Sequence, residues 1–241
     1  ACRPTAVAVG DFNSDSKLDV AVTCAESNGV VILIGRGDGS LAQLFNIPVF
    51  GLRPTSMVAA DLNDDGVLDL AVTNLLSDDV SVLIGDGTGA FMEVGRFNVG
   101  NGPASIATGD FNQDGRLDLV VGNSRSNSIS VLLAESSGSF AISNRVDVPV
   151  GSTPRSLAVG EYVSGKLGVA VGNSGSQDVS LVVGNGDGSF TSDTKITFIR
   201  PASITAGDFN SDGKLDIAVV VSPFLEVVTF LGKGDGTFVS K

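Results

Sequence analysis

The stretch Asp110-Phe111-Asn112-Gln113-Asp114-Gly115-Arg116-Leu117-Asp118 places oxygen-bearing side chains at positions 1, 3, 5 and 9 around a glycine. Hard oxygens at that spacing, with the main-chain carbonyl of position 7, form the ligand pattern of a calcium loop. Glycine at position 6 lets the backbone turn with positive φ. The pattern returns three times, over residues 11–19, 61–69 and 208–216. The candidate ligands are therefore Asp11, Asn13, Asp15 and Asp19; Asp61, Asn63, Asp65 and Asp69; Asp110, Asn112, Asp114 and Asp118; and Asp208, Asn210, Asp212 and Asp216. Lys17, Val67, Arg116 and Lys214 would each contribute a main-chain carbonyl. Ser16 replaces the position-6 glycine in the first copy, which predicts a strained turn and weaker binding there. An Asx turn alone would need no such set of oxygens.

Outside the loops, one interval is constant. Asp19 and Gly35, Asp69 and Gly85, Asp118 and Ala134, Gly168 and Gly184, and Asp216 and Gly232 are each sixteen residues apart. This defines five repeats, over residues 1–50, 51–100, 101–151, 152–198 and 199–241, of a single domain. Each begins with a short run of small and apolar residues, such as Ser105-Ile106-Ala107-Thr108-Gly109, that enters the loop. A β-branched run leaves it, a polar turn such as Ser126-Asn127-Ser128 follows, and then a third apolar run. A glycine-rich turn leads to a more variable fourth run that ends near a proline. Four antiparallel strands per repeat, the first small-residued, predict an all-β fold: a β-propeller of five blades whose narrow strand faces the axis and whose calcium loops join first and second strands. The fifth copy stops at Lys241, three residues after Phe238, so its outer strand is expected to be incomplete and its third strand to leave an open edge.

The fourth copy departs from the pattern. Glu161-Tyr162-Val163-Ser164-Gly165-Lys166-Leu167-Gly168 is one residue short, lacks the position-5 Asp and ends in glycine. Four calcium ions are expected and none in this repeat, with Tyr162 and Val163 packing where ions sit elsewhere.

With Gly-Asp-Phe-Asn-x-Asp-Gly-x-Leu-Asp, Ala-Val after it, and a later Gly-Asp-Gly-Ser-Phe, essentially the whole chain resembles the FG-GAP/VCBS repeat family. That family supplies the calcium-binding blades of integrin α-subunit heads and of many secreted bacterial and fungal proteins. The resemblance implies a propeller with calcium under its blades. It usually implies seven blades, against five repeats here, so the chain is either a five-bladed ring or part of a larger propeller.

A net charge of −12 argues against nucleic acid as a partner, because phosphates would be repelled. Twelve of the 27 acidic residues are candidate ligands in the four loops, and four calcium ions would offset most of the charge. No apolar run reaches the length of a membrane-spanning helix, and no signal segment is read. Cys2 and Cys24 flank the first loop on strands that would lie side by side, which suits a disulfide. With calcium loops, this points to a secreted, extracellular protein.

Catalysis has little to stand on. The sequence has no histidine, so no Ser-His or Cys-His pair can form. A carboxylate pair acting on a polysaccharide is the enzymatic alternative. Arg36-Gly37-Asp38 reads as one more copy of the glycine-rich turn rather than as an adhesion tripeptide. On the rim opposite the calcium loops, Arg3, Arg53 and Arg200 each precede an inter-blade proline and Arg155 follows Pro154. They are solvated or packing residues, or a cationic ring for an acidic ligand. The expected role is a non-enzymatic binding module for a glycan (lectin-like) or a cell-surface protein. A structural or adhesion module that self-associates through residues 223–231 is the alternative.

Overall fold

The structure is a computed structural model that describes residues 2–135, 142–197, 200–222 and 226–240. Five four-stranded antiparallel sheets follow one another in chain order, each a meander. The first contains β1 (Pro4–Gly10), β2 (Asp19–Cys24), β3 (Gly29–Gly35) and β4 (Leu41–Pro48). The second contains β5 (Pro54–Ala60), β6 (Asp69–Asn74), β7 (Asp79–Gly85) and β8 (Phe91–Asn98). The third contains β9 (Pro103–Gly109), β10 (Asp118–Asn123), β11 (Ser128–Ala134) and β12 (Ile142–Pro149). The fourth contains β13 (Pro154–Val163), β14 (Lys166–Asn173), β15 (Asp178–Gly184) and β16 (Phe190–Thr197). The fifth contains β17 (Pro201–Gly207), β18 (Asp216–Val221), β19 (Glu226–Gly232) and β20 (Phe238–Ser240). Among the described residues no helix is long and apolar enough to cross a membrane.

First strands pack side by side from blade to blade, β1 on β5, β5 on β9, β9 on β13 and β13 on β17, so they line the axis. Alanine and glycine crowd these strands because five of them must approach closely. The core lies between blades. Second and third strands are apolar on both faces, and Leu70, Val72, Val80 and Val82 are fully buried. The second, third and fourth sheets are each sandwiched by their neighbours, the condition under which strands lose their polar face.

The disulfide joins Cys2 to Cys24, across the ladder in which Pro4 faces Cys24. One expectation needs correction. The third strand of the last blade is not wholly unpaired, because β20 pairs Phe230, Leu231 and Gly232 with Ser240, Val239 and Phe238. The Glu226–Thr229 part of β19 pairs with β18 and lacks a partner only on its outer side among the described residues. Residues 223–225 of the proposed self-association surface lie outside the described residues.

Candidate metal centre

Each loop links the first strand of its blade to the second, and its backbone is wound by its own side chains. In the first, the N–H of Asp15 donates both to Asp11 Oδ1 and to Asn13 Oδ1, each at 3.1 Å. Two acceptor oxygens on one hydrogen must lie close together. The same shared donor occurs at Asp65, Asp114 and Asp212, with distances of 2.9–3.2 Å. The position-6 N–H completes the cradle on the first Asp, for example Gly66 to Asp61 Oδ2 at 2.8 Å. The residue at position 7 donates to the Asp at position 5, as in Val67 to Asp65 at 2.8 Å.

This winding needs two left-handed residues per loop. Position 6 is one, at Gly66, Gly115 and Gly213, and Ser16 adopts it too with φ of 63°. Position 4 is the other, at Ser14, Asp64, Gln113 and Ser211. The sequence reading identified the glycine and not position 4, where three different side chains hide a common conformation.

The Asp at position 9 plays a different part. Asp19, Asp69, Asp118 and Asp216 are fully buried. One oxygen accepts from the N–H of position 2 and the other from a residue sixteen positions later: Gly35, Gly85, Ala134 and Gly232, at 2.8–2.9 Å. Each carboxylate oxygen keeps a second lone pair for an ion. Burial first, and then the charges of Asp65 and Asp61, push Asp69 up to about 6 against its two backbone hydrogen bonds. Asp118 is raised to about 6 in the same way, with Asp114 and Asp110 as the neighbouring charges.

Among the described residues no three carboxylates close on one point. What converges in each loop is mixed: a carboxylate oxygen, an amide oxygen and a carboxylate two residues on, beside a buried carboxylate short of positive charge. That donor set is all oxygen, and it fits a hard cation such as calcium.

In the fourth blade the loop is replaced by a continued hairpin, with Val163 facing Lys166. Glu161 accepts from Gly165. Contrary to the expectation from sequence, Tyr162 does not fill an ion position. It takes the place of Phe12 and Phe111 at position 2, buried, with its hydroxyl donating to the Ala158 carbonyl at 3.0 Å. Val163 instead pairs with Asp235 in the turn of the fifth blade.

The glycine-rich turns dock on the loops. Gly188 donates to the Phe111 carbonyl and Gly236 to that of Tyr162, so each turn hooks the preceding blade. Within the turns the Asp faces inward: Asp38 accepts from the Ser40 N–H at 2.8 Å and its hydroxyl at 2.6 Å. Asp86, Asp187 and Asp235 repeat this with Thr88, Ser189 and Thr237. The Asp of Arg36-Gly37-Asp38 is thereby engaged in its own turn, and the Ser40 hydroxyl holds its carboxyl below the usual range.

On the opposite rim the four arginines are exposed but not equivalent. Arg53 and Arg200 have positive φ, a conformation shared at the same place by Gly102 and Thr153. Their carbonyls, with that of Arg3, accept from Leu75, Ser222 and Ala25 and so close the inter-blade corner. Arg155 stands one step further along, on β13. It lines an open hollow of about 340 Å³ with Thr55, Leu75, Ala104, Ser124 and Ala202, contributed by four consecutive blades around the axis.

The FG-GAP-like repeat model matches residues 11–72, 73–121, 110–162 and 164–219. The chain belongs to the FG-GAP-like repeat family. No curated protein matches it significantly. Among solved structures, this FG-GAP chain is similar to BBS1N in complex with ARL6DN, soaked with lead, at 15% identity and a TM-score of 0.69, covering 100% of this chain and 67% of that one. A protein from Lactobacillus plantarum is similar at 17% identity and a TM-score of 0.70, covering 100% and 71%. The SapL1 lectin in complex with alpha methyl fucoside is similar at 12% identity and a TM-score of 0.59, covering 92% and 74%. At these identities the likeness is one of fold, and the fold is the β-propeller.

Proposed function

We propose that this chain is an extracellular, calcium-stabilised propeller module that binds a glycan or a cell-surface protein and carries out no reaction of its own. The observation that carries the calcium reading is the shared hydrogen of the four loops, which gathers the oxygens of positions 1 and 3. Calcium there would be held by the side chains of positions 1, 3, 5 and 9 and the carbonyl of position 7. It would supply the positive charge that clustered carboxylates lack and would fix the loop on which the next blade's turn docks.

Recognition then belongs to the other rim, since the calcium rim is occupied by contacts between blades. The axial hollow offers a guanidinium from Arg155, hydroxyls from Thr55 and Ser124 and the apolar body of Leu75. The two hydroxyls donate to the Pro103 and Gly102 carbonyls and so present acceptor oxygens, which with one cation suit a sugar bearing a carboxylate or sulfate. The propeller neighbour solved with alpha methyl fucoside supports the reading to the extent that this fold serves as a lectin elsewhere. A disulfide and calcium loops support secretion.

Binding to an array of neutral and acidic glycans, with calcium and with chelator, tests the reading. Retention of an acidic glycan that is lost in Arg155→Ala is the expected result. Loss on Arg53→Ala with Arg200→Ala, but not on Arg155→Ala, would move the site to the outer rim. An array without any calcium-dependent signal would remove the lectin reading.

A further inference from the structure

One inter-blade corner departs from the others. Where the chain passes from the second to the third blade, and from the third to the fourth, a valine is followed directly by glycine: Val99-Gly100 and Val150-Gly151. Between the first and second blades an extra residue, Phe50, stands between Val49 and Gly51. The three glycines are equivalent, because a Cβ on each would strike the buried side chain of Asn74, Asn123 or Asn173 at 2.0–2.6 Å. The positions that follow differ in kind. Leu76 donates to the Leu52 carbonyl, and the matching bonds in the next two corners run from Arg125 to Asn101 and from Gly175 to Ser152. Leu75 stands where those corners have Ser124 and Ser174. Phe50, Leu52 and Leu76 are 71%, 49% and 52% exposed. An apolar ridge where the repeat elsewhere uses polar residues marks a surface that leaves water on binding.

The backbone of this ridge is already satisfied. The Phe50 N–H donates to Glu93 Oε2 at 2.9 Å, and its carbonyl accepts from Arg96 at 3.3 Å. The Leu52 N–H donates to Ser77 Oγ at 3.0 Å, and its carbonyl takes the Leu76 N–H. Such a loop can enter an apolar phase without stripping water from these peptide groups, which is what keeps irregular backbone out of one.

The charge around the ridge has the complementary sign for an anionic surface. Arg3, Arg53, Arg125, Arg155 and Arg200 lie on this rim, one in each repeat, and all are exposed. Among the described residues the ion pairs use Lys17, Arg96, Arg116 and Arg145, so none of these five is paired with a carboxylate. Glu26 and Glu226 are the exposed carboxylates beside them. The loop carboxylates are on the other rim. A first strand of seven residues such as β1 holds the rims about 23 Å apart, more than twice the Debye length of about 10 Å at 0.1 M salt. A surface approaching the arginine rim therefore meets its local positive charge and not the net charge of −12.

We propose that this rim docks on an anionic lipid bilayer, with Phe50, Leu52 and Leu76 entering the boundary between headgroups and acyl chains and the arginines facing the lipid phosphates and carboxylates. Leucines offer nothing to sugar hydroxyls, so the ridge is not an extension of the glycan hollow. Arginines distributed one to a repeat match a plane rather than a peptide laid along one groove.

Tryptophan fluorescence tests this. The chain has no tryptophan, so Phe50→Trp supplies a single reporter, and Leu76→Trp repeats the reading at a second site. With the calcium-loaded chain, vesicles of mixed phosphatidylcholine and phosphatidylserine should shift the emission to the blue, and lipids brominated on their acyl chains should quench it. Vesicles of phosphatidylcholine alone should do neither at the same concentration. Lys166→Trp, on the calcium rim, should not respond. In the chain without tryptophan, Leu52→Ser with Leu76→Ser should weaken vesicle flotation at least about tenfold. Arg53→Ala with Arg125→Ala should weaken it on the order of 30-fold, at about fivefold for each cation near the surface. The vesicles hold no sugar, so this result and that of the glycan array stand or fall separately. Quenching of Lys166→Trp in place of Phe50→Trp would assign the contact to calcium bridging at the other rim and overturn the proposal. Emission unchanged in both Phe50→Trp and Leu76→Trp with every vesicle would overturn it too, and would leave the ridge to a protein partner.

Discussion

The carboxylate of Asp19 accepts a hydrogen bond at 2.8 Å from the N–H of Gly35, the last residue of the third strand. That bond spans the sixteen-residue interval, and it recurs from Asp69 to Gly85, Asp118 to Ala134 and Asp216 to Gly232, while the fourth blade keeps the interval from Gly168 to Gly184 by strand register alone. It ties the loop to the sheet whether or not an ion is present.

Asp69→Ala should therefore destabilise the fold even in chelator. The substitution leaves the buried N–H groups of Leu62 and Gly85 without their acceptor. At about 1–3 kcal/mol for each unsatisfied group, the loss is on the order of 2–6 kcal/mol. Asp61→Ala, whose partners are in the exposed part of the loop, should cost little in chelator and lower Tm only when calcium is present. Thermal melts of both variants, with and without calcium, separate the two roles.

Ser16→Gly should strengthen the first loop. Ser16 holds φ at 63° where the other loops have glycine, and the left-handed conformation costs an L-residue about 1–2 kcal/mol. Part of that is returned by the added freedom of glycine in the unfolded chain. A rise in Tm, larger in calcium than in chelator, is the expected outcome. An unchanged or lower Tm would show that Ser16 carries no strain.

Reduction of Cys2–Cys24 should cost about 3 kcal/mol by the chain-entropy estimate for a loop of this length. The bridge pins the free edge of the first blade, so the effect should appear in denaturant melts with and without reductant. An identical midpoint would mean that the first blade is held by its packing on the second alone.

Tyr162→Phe should cost about 1 kcal/mol, the value of one buried hydrogen bond, here to the Ala158 carbonyl. Tyr162→Ala should cost about 3–5 kcal/mol, because the ring packs against Phe238 across the boundary between the fourth and fifth blades. Neither should change calcium binding. Chemical denaturation gives the stabilities, and a calcium titration of each variant checks their independence from the metal.

What the sequence disclosed was what is local or strictly periodic. Asp and Asn at fixed spacing announce the loop, and an invariant sixteen-residue offset announces the blade. The left-handed turn at position 4 was hidden because Ser14, Asp64, Gln113 and Ser211 share a conformation and not a chemistry. Tyr162 was misplaced because a loop shortened by one residue keeps its position-2 ring and loses the positions after it.

The most direct test is the stoichiometry of calcium binding, measured by titration calorimetry on the decalcified chain. Four ions per chain are expected, falling to three when Asp208 and Asp212 are both replaced by alanine and unchanged when Glu161 is. Occupied sites at calcium 100-fold above Kd should each add about 2.7 kcal/mol to stability. Absence of binding, or a count that does not fall when Asp208 and Asp212 are removed, would contradict the assignment of the loops as calcium sites.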